Sequence, residues 1–500
     1  AAAFPMTNSV THPTPTCPMA KPQYPAAIMR MGFSSIALTL ALLAPPAHAE
    51  IRAVVVGVSD YLTLDADLKG PSNDARLMAE GGIRDYHQAK LKAASRLGIH
   101  DDASLPRNTE IEDALREYQR LFAGPQHGSE LQRRREAVGR ELGAGPAGAA
   151  AAIGLARAGA HVLLLERTRE TGDALCGGFL SWQSLARLDA LGIDHAALGG
   201  QQVGRVRLFA GSRRSETSLP QAAMGVSRQR LDTVLQAAAV AAGADLQRGV
   251  HATTIDGHTV QTRGGATLAA PAIFLAAGKH GFRGQPREPA SWQKHDPVMG
   301  LRLRLPHHAA LDRLIGDAVE LHLFDRGYAG LVRQEDGGAN LCLATHKSRL
   351  DEAEGDPAAL LRALGTEHPM LGERLAYADW SRSIDAIGHV PYGWRSADTA
   401  PGLFRLGDQA GVIPSLAGEG MGLALASGDA AVAAWRRGGS DAAPAFQQAL
   451  AARLRRPFAI ASAVWRLGEN PRTAGGLTSL ATVFPSLVRA ASRATRIGDG

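Results

Sequence analysis

Cysteine and aromatic residues are scarce in this chain of 500 residues. It has three cysteines, Cys17, Cys176 and Cys342, and 5% of its residues are aromatic. Cysteines this few and this far apart build neither a disulfide framework nor a CxxC zinc site, and an odd number is typical of a reducing compartment. No run of arginine or lysine alternates with the aromatic residues, as it does in nucleic-acid-binding proteins. We therefore expect no metal and no nucleic-acid partner.

The N-terminal part has one apolar run, residues 36–44, which is too short to cross a bilayer as a helix. A Met-Arg-Met sequence at 29–31 precedes it, and an Ala-His-Ala sequence at 47–49 follows it in the small-x-small form that signal peptidase accepts. Residues 29–49 are therefore a candidate signal peptide. The preceding residues 1–28 are rich in proline, and we expect them to be disordered.

The segment after the candidate signal has the pattern of a peptidase domain. Residues 52–61 read as an apolar strand that ends in a turn, and residues 68–78 read as a helix. The segment 50–128 resembles the opening of a caspase-like (metacaspase) domain, a family in which a histidine activates a cysteine nucleophile. Because His127 follows no strand, we interpret the segment as truncated. An inactive or regulatory caspase-like protein is the alternative function, and peptidase chemistry would have to use Cys176.

A glycine turn carries the most specific signal in the sequence. It consists of Gly143, Ala144, Gly145, Pro146, Ala147 and Gly148, and it opens the sequence GAGPAGAAAAIGLARAGAHVLLLER. Gly143 permits a tight turn, Gly145 lets backbone amides approach a pyrophosphate, and Gly148 lets the following helix pack close to a sheet. Glu166, at the end of the second strand, can accept hydrogen bonds from a ribose. The spacing predicts a dinucleotide-binding site.

The strand that should precede this turn is missing from the adjacent sequence. Residues 135–142 carry charged side chains where a buried parallel strand would have apolar ones. We interpret residues 129–142 as a linker and the first strand as replaced or damaged. Because that strand holds the turn in place, its loss would weaken cofactor binding.

Two later segments favour FAD over NAD. Residues 272–278 read as an apolar strand that ends in small residues, which lets the backbone pass close to a flavin. Residues 403–428 read as a strand that ends at Gly407 and Asp408, then a loop, then a helix that starts near Gly418. Asp408 can bind a ribityl hydroxyl. The helix N-terminus offers amides to the pyrimidine end of the flavin, where negative charge builds on reduction.

Together these motifs resemble the geranylgeranyl-reductase-like branch of the p-hydroxybenzoate-hydroxylase-fold flavoproteins. The resemblance covers residues 143–428 and includes LCGGFLS at 175–181 and SRQRLD at 227–232. It implies an α/β fold with a Rossmann-like FAD-binding domain interleaved with a β-rich substrate domain over 143–443, and a helical region over 444–500. It also implies that FAD contacts the glycine turn and the following residues: Glu166, Arg167, Arg228, Gly407, Asp408, Gly418, Gly420 and Met421.

The expected chemistry is that of the flavin, which performs the redox step while the protein supplies position and electrostatic field. We expect a reductase or monooxygenase that takes electrons from NAD(P)H and acts on an apolar or aromatic small molecule. Cys176 lies in the Gly-Gly loop after the second strand and is the candidate for a role next to the substrate. The alternative is a thiol that only packs.

The rest of the sequence predicts a second sheet and a basic tail. Strand-like alternation over 196–210, 246–275 and 298–345 predicts the substrate-domain sheet, with a hairpin turn at Asp256-Gly257. Residues 441–500 contain eight arginines against three acidic residues. Their apolar residues have helical spacing, so the tail either rests on an anionic membrane surface or caps the substrate domain as a helix pair.

Localisation stays open at this point. The flavoprotein part favours the cytoplasm, because three widely spaced cysteines are typical of a reducing compartment. An active signal at residues 29–49 would instead direct the chain to export or to the periplasm.

Overall fold

The computed structural model describes residues 53–57, 62–63, 144–279, 281–287 and 291–498. Several parts of the sequence interpretation lie outside these residues: segment 1–28, the candidate signal 29–49, the linker 129–142, Gly143 and, apart from two short strands, the caspase-like segment 50–128.

The described residues form both strands and helices, which confirms the α/β fold class. The strands are β1 (Ala53–Gly57), β2 (Leu62–Thr63), β3 (Val162–Glu166), β4 (Phe179–Leu180), β5 (Gln201–Ala210), β6 (Arg213–Gly225), β7 (Asp245–Arg248), β8 (Ala252–Asp256), β9 (Thr259–Thr262), β10 (Thr267–Ala269), β11 (Ile273–Ala276), β12 (Val298–Leu305), β13 (Ala318–Phe324), β14 (Gly327–Arg333), β15 (Ala339–His346), β16 (Asp385–Ile387) and β17 (Leu403–Arg405). The helices are α1 (Pro146–Arg157), α2 (Trp182–Ala190), α3 (His195–Leu198), α4 (Arg228–Ala241), α5 (Ala309–Ile315), α6 (Lys347–Asp351), α7 (Pro357–Glu367), α8 (Pro369–Leu375), α9 (Gly420–Gly438), α10 (Ala443–Gly468), α11 (Pro471–Val483) and α12 (Pro485–Ala494).

The first sheet has five parallel strands in the order β17-β11-β1-β3-β7. All five residues of β3 are buried, as expected for a parallel strand that is covered on both faces. Helix α1 contacts β1, β3 and β11. Leu163 and Leu275 belong instead to a cluster with Ile255 and Val260 of the small sheet β8–β10. The five-stranded sheet is therefore packed between α1 and this small sheet.

Strand β1 supplies the strand that the sequence next to the glycine turn lacks. It lies at the centre of the five-stranded sheet, where Val55 is opposite Leu164 of β3 on one side and Phe274 of β11 on the other. The position that we expected to be replaced or damaged is therefore filled by residues 53–57, a strand that the caspase-like interpretation placed in a separate fragment. The domain boundary at residue 143 stays a prediction.

Helix α1, which follows the glycine turn, is fixed against α4 and α9. Its four consecutive alanines at 149–152 are fully buried. A Cβ atom at Gly428 of α9 would lie 3.0 Å from the Ala147 carbonyl oxygen and 3.2 Å from the Ala150 Cβ. The two helices are therefore in contact through small residues, which lets their backbones approach closely.

The second sheet has nine strands in the order β2-β16-β12-β15-β14-β13-β5-β6-β4. Adjacent strands are antiparallel except β5 and β13. Because side chains alternate between the two faces of a strand, Val319, Leu321 and Tyr328 line a cavity on one face. Leu303 and Leu341 belong to a cluster that joins the sheet to α5, α7 and α8.

The predicted substrate-domain strands were right in two of three segments. The segments 196–210 and 298–345 contain strands of the nine-stranded sheet, but 246–275 does not. There, β7 and β11 join the five-stranded sheet and β8–β10 form a sheet of their own. The hairpin at Asp256-Gly257 is confirmed, with Gly257 at φ +53° between two antiparallel strands. Alternation predicts a strand but does not identify its neighbour, which explains the error.

The C-terminal helices pack against the core around α1 and against the nine-stranded sheet. Phe446 and Leu454 of α10 join the core cluster around α1, while Trp465, further along the same helix, joins a cluster with Tyr392. Helices α11 and α12 contact β6. None of the helices in the described part of the chain is long and apolar enough to cross a membrane.

Candidate functional site

One cavity is lined by residues from both large sheets. Its cofactor side consists of loops at 145–147, 276–279 and 407–421. Its substrate side consists of one face of the nine-stranded sheet and the adjoining loop 175–178. Apolar side chains dominate the substrate side, among them Phe179, Val206, Leu219, Val319, Leu321 and Ile387.

Two buried side chains hold the start of the glycine turn. The Ala144 N–H donates to the Glu166 carboxylate, and Gln236 Nε2 donates to the Ala144 carbonyl oxygen at 2.9 Å. Glu166 also accepts hydrogen bonds from Thr168 N and Oγ1, at 2.9 and 2.7 Å. Burial raises the pKa of Glu166. Glu166 thus fixes the turn, while its contact with a ribose and the contact of Arg167 with FAD stay predictions.

The turn leads directly into helix α1. Gly145 caps the helix with an extended backbone, and Pro146 occupies the first turn, where its missing N–H costs nothing. Gly145, Pro146 and Ala147 line the cavity, and Gly148 is buried in the helix. The backbone amides at the start of α1 therefore belong to the cofactor side, as the sequence predicts for a phosphate-binding helix.

Gly407 and Asp408 begin the loop 407–421 of the cofactor side. Gly407 has φ +53°, and a Cβ atom there would lie 3.2 Å from the Ala147 Cβ. The loop thus packs on the first turn of α1. The Gly407 N–H donates to Ser427 Oγ at 2.8 Å. Asp408 lines the cavity, and no described residue donates a hydrogen bond to its carboxylate, so it suits a ligand hydroxyl.

The same loop, 407–421, ends at the N-terminus of α9. Gly418 has φ +61°, and a Cβ atom there would lie 3.0 Å from the Phe179 ring. Gly420 and Met421 begin the helix and line the cavity together with Gly418. The amides and the dipole of this 19-residue helix favour negative charge at that point.

A buried ion pair fixes the end of the loop 407–421. Glu419 is 1% exposed, pairs with Arg496 and accepts hydrogen bonds from Ser181 Oγ at 3.1 Å and the Ile497 N–H at 3.2 Å. Burial raises the pKa of Glu419. Arg496 Nη2 also donates to the Ala417 carbonyl oxygen at 2.6 Å. The sequence analysis did not identify Arg496, which reaches the site from the C-terminal end of the chain.

Arg287 is a second buried cation that the sequence analysis missed. Its Nη1 donates to the carbonyl oxygens of Asp408, at 2.8 Å, and Gly278, at 3.4 Å, and its Nη2 donates to that of Lys279. The guanidinium lies 5.7 Å from the Trp394 ring centre. Burial lowers the pKa of Arg287 to about 10. Arg287 therefore joins the loop after β11 to the loop after β17.

Arg228 lines the cavity at the start of α4. Its guanidinium forms an ion pair with Asp232 at 2.7 Å, and Asp232 is fully buried. The helix is capped by Ser227, whose Oγ accepts a hydrogen bond from the Arg230 N–H at 3.0 Å. The structure thus brings Arg228 to the cavity, and its contact with FAD stays a prediction.

Cys176 lies in the loop on the substrate side, and Asn340 Nδ2 donates to its carbonyl oxygen at 2.8 Å. Cys342, which the sequence analysis did not single out, also lines the cavity. Burial, with a smaller contribution from Cys176, raises the pKa of Cys342 to about 12. No histidine is among the described residues that line the cavity, so a peptidase Cys/His pair has no support there. The catalytic role of Cys176 stays a prediction.

The cofactor side has the features that a dinucleotide flavin needs. Three loops that contain glycine line one side of the cavity, and two helices, α1 and α9, begin there. A carboxylate without a described donor lies between them. Among the described residues, no group of three His, Cys, Asp or Glu side chains is arranged to hold a metal ion.

Comparison with known sequences agrees with this geometry. Residues 142–277 match the family described as FAD binding domain. A relative from Methanosarcina barkeri, an uncharacterized protein in the nifH2 5'region, is 36% identical over 132 residues, which are 25% of this chain and 70% of the relative.

Several solved structures share the fold at low sequence identity. A geranylgeranyl bacteriochlorophyll reductase-like protein from Thermoplasma acidophilum is 19% identical, with a TM-score of 0.53 over 70% of this chain and 97% of that one. PqsL, a probable FAD-dependent monooxygenase from Pseudomonas aeruginosa, is 17% identical, with a TM-score of 0.52 over 67% and 98%. The flavin-dependent brominase Bmp2 is 15% identical, with a TM-score of 0.57 over 71% and 91%.

These structures establish the fold. The match to the FAD-binding domain and the identity to the Methanosarcina relative establish homology at the level of sequence. Residues 145–147 of the glycine turn, Asp408 and the N-terminus of α9 line the same cavity. The chain therefore belongs to the same family as the Methanosarcina barkeri protein, and its residues 142–277 match a FAD-binding domain.

Proposed function

We propose that the protein is a FAD-dependent reductase or monooxygenase that takes electrons from NAD(P)H and acts on an apolar or aromatic small molecule. The observation that supports this proposal is that a single cavity contains both the loops for a cofactor and an apolar surface for a substrate. The cofactor loops form one side, and the apolar face of the nine-stranded sheet forms the other. A substrate between them would lie against the flavin and away from water, which strengthens the electrostatic interactions within the site.

The protein's own contribution is to position FAD and to stabilise the negative charge that builds on it. FAD, when bound, supplies the redox chemistry. The start of α1 would hold the pyrophosphate and Asp408 a ribityl hydroxyl, while the N-terminus of α9 would favour negative charge at the pyrimidine end. The neighbouring fold relatives support the substrate class, because PqsL has been solved in complex with 2-aminobenzoylacetate, an aromatic compound.

The first experiment is to record the visible spectrum of the purified chain. We expect flavin bands near about 450 nm, either directly or after reconstitution with FAD. NAD(P)H oxidation is then compared with and without O2 in the presence of candidate aromatic substrates. Product formed under strict anaerobiosis identifies a reductase, and product formed only with O2 identifies a monooxygenase. A chain that binds no flavin under any condition contradicts the proposal.

Asp408→Ala tests the placement of the cofactor. Hydrogen bonds to charged groups contribute about 1.5–3 kcal/mol, so we expect at least about tenfold weaker FAD binding. The control is Asp398→Ala, which changes an exposed aspartate in the same part of the chain. Equal FAD affinity in the two variants would show that the Asp408 carboxylate does not face the cofactor.

We also propose that the C-terminal helices contact an anionic membrane surface. Four large apolar residues are exposed where α11 ends and α12 begins: Leu480 (46%), Val483 (68%), Phe484 (51%) and Leu487 (51%). We call these four residues the apolar patch. Arg489 and Arg493 follow the patch in α12, and Arg472 precedes it in α11. Apolar residues flanked by arginines suit a negatively charged lipid interface. Ser492 of α12 lines the cavity, so the helix that carries part of the patch also reaches the site.

Co-sedimentation with vesicles tests this contact. We expect binding to vesicles of phosphatidylcholine and phosphatidylglycerol, weaker binding at high salt, and a strong loss of binding in Phe484→Ser. Val240→Ser is the matched control, because Val240 is equally exposed (50%) but lies on α4. An equal loss in both variants contradicts the proposal. The proposal is also contradicted if the unmodified chain is a dimer and Phe484→Ser is a monomer, because the patch would then be an interface between two copies.

A further inference from the structure

Three hydroxyl groups meet on the cavity wall. Tyr328 of β14 donates to Ser415 Oγ at 2.7 Å, and Tyr392 donates to the same oxygen at 3.0 Å. All three residues line the cavity. Tyr328 belongs to the substrate-side sheet, whereas Ser415 lies in the cofactor-side loop between Asp408 and Gly418. The cluster therefore lies at the junction of the two sides.

The hydrogen-bonding capacity of Ser415 is used unequally. A serine hydroxyl can accept two hydrogen bonds and donate one. The two tyrosines occupy both acceptor positions, and no described residue accepts the Ser415 proton. Two donors on one oxygen polarise its O–H bond and make it a stronger donor. The Ser415 hydroxyl on the wall of the cavity can therefore donate its hydrogen to a ligand.

The two tyrosines are held firmly in their role as donors. Each is 6% exposed. Tyr392 packs edge-on against Trp465, with ring centres 4.9 Å apart and an angle of 87°. Burial raises the pKa of Tyr328 well above its usual value and that of Tyr392 to about 12, so both phenols stay protonated. Neither ring can turn away without leaving its packed site.

The surroundings of the hydroxyl cluster are apolar. Tyr328 and Tyr392 share one core cluster with Ile387, Val412 and Leu416, all of which line the cavity. In such surroundings an unpaired donor costs about 1–3 kcal/mol, and a single acceptor on a ligand removes that cost. The cluster therefore selects for one oxygen on an otherwise apolar molecule.

We propose that Ser415 is a specificity-determining residue whose hydroxyl, supported by Tyr328 and Tyr392, binds a carbonyl or phenolic oxygen of an otherwise apolar substrate. This inference rests on the proposed function, because it places the substrate oxygen next to the loop 407–421, which the proposal assigns to the flavin. The same hydrogen bond stabilises negative charge that develops on that oxygen during reduction of a conjugated carbonyl or attack on a phenol.

The test compares two probes that differ only in the acceptor. Butyrophenone has a ketone oxygen and butylbenzene has none. Their dissociation constants are measured with the full chain by intrinsic tryptophan fluorescence, since Trp465 contacts Tyr392. We expect butyrophenone to bind about tenfold more tightly. Because this readout does not use flavin, a missing flavin spectrum contradicts the proposed function, whereas a missing ketone preference contradicts the role of Ser415.

Matched variants separate the hydroxyl from general packing. Ser415→Ala should abolish the ketone preference, Ser415→Thr should restore it, and Tyr392→Phe should reduce it by removing one donor. Ser479→Ala changes an exposed serine of α11 that does not line the cavity and should leave the preference intact. If Ser415→Ala does not fold, the Ser415→Thr and Tyr392→Phe variants still test the idea. Equal binding of both probes by the unmodified chain, or an unchanged preference in Ser415→Ala, overturns the inference.

Discussion

The cofactor side and the substrate side of the cavity are held by different kinds of contact. On the cofactor side, buried side chains bind the backbone of loops: Glu166 and Gln236 hold Ala144, and Arg287 holds the carbonyl oxygen of Asp408. A loop whose backbone faces a ligand has no neighbouring strand to pair its polar groups. Side chains must therefore fix it.

On the substrate side, buried charges bind one another on the face of the sheet away from the cavity. Glu320 pairs with Arg207 at 3.0 Å, with Arg374 at 2.9 Å and with His322 at 3.3 Å. The strands already satisfy their own backbone groups, so these ion pairs link elements without shaping the ligand surface. We therefore expect cofactor-side variants to change FAD affinity, and variants of this ion-pair cluster to change stability alone.

The largest effect is expected for Val55→Pro in β1. Proline removes an N–H from the central strand, leaves a carbonyl group of the neighbouring strand without its partner and forces its ring into the sheet, so the lost hydrogen bond adds to a distortion of the strand on which the glycine turn depends. Since β1 lies between β3 and β11, we expect the chain to lose its bound FAD. FAD content after gel filtration measures the effect.

The matched variant for this experiment is Val55→Ile, which keeps the N–H and a β-branched side chain. It should retain FAD. If Val55→Pro binds FAD as tightly as the unmodified chain, then residues 53–57 do not form the central strand, and the glycine turn is held without it.

Glu320→Gln should give the next largest effect. It removes the fully buried negative charge that Arg207 and Arg374 share, and breaking a buried pair in this way costs about 3–5 kcal/mol. Each arginine then keeps only a more exposed partner, Glu216 for Arg207 and Glu373 for Arg374. The control is Glu373→Gln, because Glu373 pairs with the same Arg374 but is 49% exposed. Its loss should cost about 1 kcal/mol or less. Denaturant unfolding measures both, and FAD affinity of the folded protein should match that of the unmodified chain.

Glu320 also predicts a pH dependence of stability. Although burial opposes its ionisation, hydrogen bonds from His322 and Arg374 lower the pKa of Glu320 from 4.5 to about 2. The folded protein thus binds this proton less readily than the unfolded chain. The stabilisation is present above about pH 4.5 and is lost as the pH falls toward about 2. Glu320→Gln should show a flatter loss of stability over that range, and an identical curve would contradict the assignment.

The difference between the two sides also explains what the sequence could predict. The glycine turn, Asp408 and Gly418 were found because their roles depend on local spacing and on backbone freedom. Gln236 could have been found, since it is a polar residue on a helix face with Leu231 and Leu235. Such a residue must have a buried partner.

The remaining site residues have no local signal. Arg287 lies in an irregular loop and Arg496 near the end of the chain, and only the folded chain brings them to the cofactor side. The hydroxyl cluster likewise depends on distant segments, because Tyr328 and Ser415 are 87 positions apart. The sequence predicted β1 as a strand, but it did not indicate that β1 pairs with β3 and β11. An apolar run does not specify which strands it pairs with.

Glu166→Gln tests the cofactor side with a smaller change. The carboxylate accepts the Ala144 N–H on one oxygen and both Thr168 donors on the other, whereas an amide has one oxygen. One set of bonds is lost in a buried site, at a cost of about 1–3 kcal/mol. We expect FAD affinity to fall by about tenfold, measured by titrating the apoprotein with FAD. Glu170→Gln, at an exposed position, should leave the affinity unchanged.

The smallest effect is expected for Gly418→Ala, which probes the contact between the two sides. Gly418 belongs to the cofactor side and packs on Phe179 of the substrate side, with φ +61° and a Cβ position 3.0 Å from the ring. Alanine in this left-handed conformation costs about 1–2 kcal/mol. Gly420→Ala is the matched control, because a Cβ there meets nothing within 4 Å. Thermal unfolding of both apoproteins should show a lower midpoint for Gly418→Ala alone. Equal midpoints would mean that the loop yields freely, and that the two sides are not rigidly joined at this point.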